Sequence, residues 1–354
     1  MNNWKKNVRE VVPYTPGEQP QISDIIKLNT NENPYPPSPE VSEVINSFNE
    51  DNLRKYPDPN VKGLVKVLAD EHGVSEDMVF VGVGSDDVLG MSFLTFFNSD
   101  KPILFPDITY SFYDVWAELF RIPYVNPALD DNFKIIKNDY FIPNGGIVIA
   151  NPNAPTSIEM SLDDIEDIVK SNSDVVVIID EAYVDFGGTS ALALIPDYDN
   201  LLVVRTFSKS RSMAGMRRGY AIGQPELIKA LNHVKHSYNS YTMSQISIVS
   251  GIASVEDKAY FEETTAKIIN TREVYKEKIK SLGFSMPDSK TNFLFATHET
   301  VPAELIFSKL REKKIYVRYF KKPKIDNYLR ITVGTDEEME SLVKALEEIV
   351  SSYK

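Results

Sequence analysis

Six short apolar runs restrict the fold of this chain more than any other feature. They are MVFVGV (78–83), PILF (102–105), GIVIA (146–150), VVVIID (175–180), LLVVRT (201–206) and GYAIG (219–223). Each is continuous rather than alternating, as expected of strands covered on both faces. Helical segments lie between several of them. One is SLDDIEDIVKS (161–171), which opens on an N-cap serine with an acid three positions later. Continuous apolar strands separated by helices specify an α/β fold with a mostly parallel sheet covered by helices.

The pattern changes near Asp257. A long charged helix, YFEETTAKIINTREVYKEKIKSL, leads to TNFLFAT, KIYVRYF and YLRITVGT, with a last helix from Asp336 to Ser351. These read as a smaller α+β domain whose sheet leans antiparallel. Residues 1–40, with LNTNENPYPPSPE, read as an extended arm, because each proline disfavours helix in the residue before it. The expected organisation is an arm with part of the small domain (1–40), a large ligand-binding domain (41–256) and a small C-terminal domain (257–354).

The net charge of −13 repels phosphate backbones and anionic membranes, so neither nucleic acid nor membrane is an expected partner. With no cysteine in the chain, disulfides, thiol catalysis and Cys-ligated zinc are excluded. No apolar run has signal-peptide or membrane-span length, and a cytoplasmic location is expected. His233 and His236 read as one helix face, and no metal is expected.

Open parallel sheets bind ligands at the carboxyl ends of their strands. Five runs here end in polar or Gly-rich clusters: GVGSDD (82–87), PDITYSFY (106–113), NPNAPTS (151–157), DEAYVDF (180–186) and TFSKSRS (206–212). GVGSDD reads either as a tight turn before a helix or as a phosphate site made of free N–H groups. Asp180, closing an apolar run, is either a salt-bridge or capping residue or the partner of a ligand cation. Lys209 is either a solvated charge or, at the end of a buried strand, a nucleophile. A ligand that meets all five clusters carries a phosphate, a group that pairs with a carboxylate, a flat ring and an electrophile for an amine. Pyridoxal 5′-phosphate has all four.

These motifs, in this order and spacing, resemble the fold-type-I aminotransferases. The arm LNTNENPYPPSP, the segment RKYPDPN, the turn VGVGSDD and the late YLRITVGT narrow the likeness to the histidinol-phosphate aminotransferase family, and it runs from VPYTPG to the final helix. The resemblance implies a seven-stranded sheet, pyridoxal phosphate as cofactor, and reversible amino transfer between L-histidinol phosphate and 2-oxoglutarate. It implies Lys209 as the covalent attachment point and proton shuttle, Asp180 on the pyridine nitrogen, and Tyr183 on the 3′-oxygen. The phosphate would be held by backbone of Ser85 and Asp86, by Thr206 and Ser208, and by Arg217. Tyr110 would stack on the ring, and Tyr56 would reach across a homodimer interface. Arg318 and Arg330 would bind the substrate anion, with Tyr14 and Asn33 closing over it.

Two departures from the family pattern stand out. The usual run Asn-Pro-Asn-Asn-Pro-Thr-Gly has Ala154 and Ser157 at its fourth and seventh positions here. Either Asn153 supplies the missing donor to the 3′-oxygen, or Tyr183 and water do. Arg211, two residues after the lysine, either adds positive field or faces solvent. Other readings are an aromatic-amino-acid aminotransferase or a threonine-phosphate decarboxylase on the same scaffold, a cofactor-binding regulator, and a nicotinamide dehydrogenase built on GVGSDD.

Overall fold

The computed structural model describes residues 3–20 and 22–353. Its twelve strands are β1 (Ile26–Leu28), β2 (Val79–Gly82), β3 (Ile103–Leu104), β4 (Tyr124–Val125), β5 (Ile147–Ala150), β6 (Val177–Asp180), β7 (Leu201–Thr206), β8 (Gly219–Gly223), β9 (Phe284–Ser285), β10 (Phe293–His298), β11 (Ile315–Tyr319) and β12 (Leu329–Thr332). Seven form one sheet in the order β2-β8-β7-β6-β5-β3-β4, in which only β8 runs against its neighbours.

Successive residues of these strands enter two different cores. Val79, Val81, Ile147, Ile149, Val177, Ile179, Leu201 and Val203 face one helix layer. Phe80, Val148, Ile178, Leu202, Val204 and Ala221 face the other. That two-sided burial is why the strands read as continuous apolar runs. The helix Leu162–Ser171 starts as its sequence requires, with Ser161 Oγ accepting from Asp164 N at 3.2 Å.

The second sheet has the order β1-β11-β12-β10-β9 and is antiparallel except for the β1–β11 pair. Leu28, Leu294, Ile306, Val317, Ile331 and Leu346 are among the residues of its core. The helix Lys258–Lys280 begins beside the first sheet's helices and ends with Tyr275 and Ile279 in this second core. The arm thus supplies a strand, which its composition did not announce. Strands β4 and β9, two residues each, carry too little pattern to read. A helix, Pro39–Asn46, begins within the arm's proline-rich stretch, with Ser38 as cap and Pro39 in the first turn where its missing N–H costs nothing. Among the described residues no helix is long and apolar enough to cross a membrane.

Candidate active site

The strand register brings the polar clusters to one edge of the large sheet. Ala150 pairs with Asp180, and Thr206 pairs with Gly219, which pairs with Gly82. A cavity of about 160 Å³ lies over this edge, bounded by Tyr110, Ala154, Tyr183 and Lys209 from the large sheet, Thr30 and Asn31 from the arm, and Arg318 and Arg330 from the small sheet. It adjoins a wider mouth of about 640 Å³ that shares Tyr14, Ser111 and Arg318 with it.

Lys209 sits on a tight turn after β7. The turn is closed by Ser212 N donating to Lys209 O at 3.3 Å and Met213 N to Phe207 O at 3.0 Å. Ser210 Oγ donates to Asp185 at 2.5 Å, and Asp185 in turn faces Arg205, whose guanidinium pairs with buried Glu181 at 2.9 Å. From the other side Asn33 Nδ2 donates to the carbonyls of Lys209 (3.0 Å) and Ser210 (3.1 Å). The Lys209 Nζ reaches into the cavity, 3.3 Å from Thr30 O and 5.6 Å from the centre of the Tyr183 ring.

Asp180 is buried at the end of β6. Its carboxylate accepts from Tyr113 Oη at 2.8 Å and from Ala182 N at 3.2 Å. Burial pushes its pKa up to about 6, against the opposing pull of those two donors. A cation beside it would reverse that displacement. Tyr183 Oη accepts from Asn31 Nδ2 at 2.9 Å, which leaves the tyrosine's own proton free to donate.

The turn after β2 has the form of an anion cradle. Gly84 (φ +94°) precedes the helix Ser85–Phe96, and no side chain caps that helix. The first N–H groups therefore point outward with the helix dipole behind them. Arg217 covers the turn so closely that a Cβ on Gly84 would lie 2.7 Å from its Nη2, and a Cβ on Gly219 would lie 2.3 Å from Ser85 N. Asp86 holds the assembly from the side, accepting from Tyr110 Oη at 2.8 Å and facing Arg217 at 3.4 Å. Burial raises the Tyr110 pKa well above 10, Asp86 adding to the effect, so the phenol stays protonated. Thr206 Oγ1 and Ser208 Oγ, 3.0 Å apart, complete the hydroxyl side.

In the outer half, Arg318 and Arg330 are direct cross-strand partners. Like charges so placed repel. Both guanidiniums lie over Phe320, at 5.5 and 5.6 Å, and Arg330 also donates to Asn29 O at 2.9 Å. Burial lowers the pKa of Arg330, and Arg318 lowers it further. Tyr14 stacks on Phe112 at 4.2 Å beside the mouth.

The geometry places two expected site residues elsewhere and decides against one of the two readings of Arg211. Asn153 does not replace the missing donor at 154: its amide hydrogens go to Ile108 O (2.9 Å) and Thr156 Oγ1 (3.0 Å), and its Oδ1 accepts from Thr109. Asn33 does not border the cavity; it clamps the lysine turn, and Asn31 takes the cavity position. Arg211 is buried, not solvent-facing, with its guanidinium 4.3 Å from the Phe261 ring centre and Nη1 donating to Ser254 O. Tyr56, expected to serve another subunit, lies away from this chain's own cavity, 81% exposed against Tyr241. The sequence reading missed Tyr113 and Asn31. Both lie within quoted motifs, but only strand order brings Tyr113 to Asp180.

Comparison with known proteins agrees with this geometry. A model of the class I and II aminotransferases matches residues 23–346. The chain belongs to that family. A histidinol-phosphate aminotransferase of Lactococcus lactis is 52% identical over 345 residues, covering 97% of this chain and 96% of the relative. One from Clostridium botulinum is 49% identical over 348 residues, 98% of each. Among solved structures, the Sinorhizobium meliloti histidinol-phosphate aminotransferase in complex with pyridoxal 5′-phosphate superposes with a TM-score of 0.84 at 25% identity, over 93% of this chain and 92% of that one. The Clostridium acetobutylicum structure, at 22% identity and a TM-score of 0.85, matches in fold. As an aminotransferase, this chain uses pyridoxal phosphate, and the donor set fits it: an amine, a buried carboxylate, and an uncapped helix start beneath Arg217, preceded by a glycine at position 84 whose φ of +94° disfavours a side chain.

Proposed function

We propose that this protein is a histidinol-phosphate aminotransferase. It moves an amino group reversibly between L-histidinol phosphate and 2-oxoglutarate, giving imidazole-acetol phosphate and glutamate, in histidine biosynthesis in the cytoplasm. The observation that carries the reading is the identity of about half to relatives of that name over nearly the whole chain. The opposed pair Arg318 and Arg330 supports it, since two planar guanidiniums suit a phosphate dianion in one half-reaction and a dicarboxylate in the other.

Bound pyridoxal phosphate supplies a carbonyl carbon for the lysine and an electron sink for charge developing at the substrate's α-carbon. Lys209 Nζ takes the α-proton as base and returns it as acid, its approach set by the doubly clamped turn. The carboxylate of Asp180, oriented by Tyr113, would pair with the ring nitrogen of the bound cofactor and would keep it protonated. Tyr183, its lone pair already engaged by Asn31, would donate to the 3′-oxygen. With Ala154 and Asn153 unable to add a second donor, Tyr183 carries this contact with water, an effect of about 0.5–1.5 kcal/mol. Ser85 N, Asp86 N, Thr206, Ser208 and Arg217 would hold the phosphate, and Tyr110 would lie against the ring. Tyr14 closes over substrate at the mouth. The working unit is a homodimer in which Tyr56 of each subunit completes the other's phosphate site.

A spectral titration of the purified holoenzyme tests this. L-histidinol phosphate and glutamate should each bleach the lysine-linked chromophore, phenylalanine should do so weakly, and Lys209→Ala should lack the band and lose turnover by roughly 10⁴-fold or more. No response to L-histidinol phosphate, or carbon dioxide release from threonine phosphate, would overturn the assignment.

A further inference from the structure

Lys235, in the last turn of the helix Pro225–Tyr238, is 3% exposed and has no part in the cavity just described. Burying an ammonium is costly unless something answers it. Here the Pro59 carbonyl does so directly, Nζ donating to Pro59 O at 2.5 Å, with the Asp87 and Asp58 carboxylates adding favourable charge. The adjacent His236 Nε2 lies 3.2 Å from Asn60 Oδ1. Both side chains therefore grip one loop, KYPDPN (55–60). Pro57 and Pro59 have no N–H, so this loop cannot fasten itself through a backbone ladder. Its other anchors include the bonds from Asn60 N and Lys62 N to the Asp58 carboxylate, each 2.9 Å, from Val61 N to Asp58 O at 3.2 Å, and from Lys55 N to Asn52 O at 3.1 Å, all at its two ends.

Tyr56 stands on this loop, and its ring rests on Tyr241 at 4.7 Å. Leu53, Tyr238 and Tyr241 are exposed as well. A cleft of about 440 Å³ lined by Val61, Val79, Ile228 and Lys235 gives the loop room to shift once its clamp is released.

We propose that Lys235 is a positioning residue for the active site of the other subunit: by holding Pro59 O it sets the direction in which Tyr56 leaves the surface and so completes the phosphate site of a second copy of this chain. The inference rests on the homodimer reading above and adds to it a specific dependence of one subunit's cofactor on the other's buried lysine.

The test uses holoenzyme. Lys235→Met keeps the length and apolar stem of the side chain and removes the donor. It is expected to fold, to lose cofactor roughly ten-fold faster on dilution, and to turn over correspondingly less at limiting cofactor. Mixed dimers then separate action across the interface from action within a subunit. In a dimer of Lys235→Met with Lys209→Ala, the subunit that keeps Lys209 is served by the unaltered loop of its neighbour. Random mixing of the two variants should restore turnover to about a quarter of wild type, with normal cofactor retention in the working sites. Absence of rescue, or a Lys235→Met homodimer that retains cofactor as the wild type does, overturns the proposal. Tyr56→Phe is the control for the underlying reading. If it retains cofactor normally, the homodimer role of Tyr56 itself fails. If it is impaired and rescued by mixing while Lys235→Met is normal, only the Lys235 inference fails. Should Lys235→Met not fold, His236→Ala releases the second grip at the surface; a loss of about two-fold with the same rescue supports the proposal, and wild-type behaviour overturns it.

Discussion

The inner and outer halves of the cleft treat buried polarity in opposite ways. On the large sheet the polar groups already answer one another: Asp180 with Tyr113 and Ala182 N, Asn153 with Thr109, Thr156 and Ile108 O, Asp185 with Ser210 and Arg205. On the small sheet Arg318 and Arg330 face each other, no carboxylate among the described residues pairs with either, and Arg330 Nε has no partner. The inner half holds most of its side chains by itself and leaves only the turn before Ser85 open to an anion, whereas the outer half presents two unpaired guanidiniums that an anion completes. That division suits an enzyme whose cofactor stays in place while two different anionic substrates alternate.

The largest effect expected from this contrast is in the outer half. Arg330→Met should lower kcat/KM by about 10²–10³-fold for L-histidinol phosphate and for glutamate, since losing one partner of a buried charged contact costs about 2–5 kcal/mol. The chromophore of the resting enzyme should be unchanged. Because one of two repelling cations is gone, the melting temperature should hold or rise. A variant that loses cofactor or stability instead would show that Arg330 supports the fold and that the contrast between the halves is false.

Asp180→Asn probes the inner half. A carboxyl raised from 3.8 to about 6 binds a proton more tightly in the folded chain than in the unfolded one. Its contribution to stability is therefore intact below pH 4 and is lost as pH rises towards 6, amounting to about 3 kcal/mol above both values. Cofactor-free Asp180→Asn should accordingly be more stable than cofactor-free wild type above pH 6, by about 1–3 kcal/mol, with the difference vanishing near pH 4. Turnover should fall by roughly 10²-fold or more, because a neutral amide does not keep the ring nitrogen protonated. Equal denaturation midpoints at pH 5 and pH 8 would mean that Asp180 is not strained by its burial.

The inner half was the more legible in sequence, and the reason is physical. Strand ends are marked by a switch from apolar to polar residues, and an open parallel sheet places those ends together whatever the strand order. Asp180 and Lys209 could be found that way. The Tyr113–Asp180 bond could not, because it needs β3 and β6 to flank β5, and chain order does not display that adjacency. The arm misled for a different reason. In an extended chain alternate residues share a face, but Asn31 adopts φ +56° and breaks the alternation, so Asn31 and Asn33 turn to different partners. Arg211 followed the same logic: a charged residue near the surface in sequence is drawn inward by the carbonyl at the end of the helix Gln245–Glu256 and by the Phe261 ring.

The smallest effect lies at the seam between the halves. Ser157 adopts a φ of +67°, in the left-handed region that favours glycine. Its N–H donates to Asn153 O at 2.8 Å and its carbonyl accepts from Lys290 N at 3.1 Å, so the backbone is tied both to the large sheet's loop and to the segment leading into β10. The conformation is therefore imposed, and a side chain there costs about 1–2 kcal/mol relative to glycine. The hydroxyl does not offset this, being buried without a hydrogen-bond partner. Ser157→Gly removes both penalties and adds chain entropy to the unfolded state, which returns roughly 0.5–1 kcal/mol. The net expectation is a gain of about 1 kcal/mol, a rise of roughly 2 °C in melting temperature, with kcat/KM unchanged for both substrates. A loss of stability would place the seam's rigidity in the serine side chain rather than in the two backbone bonds, and the two halves would then be joined by packing instead of by strain.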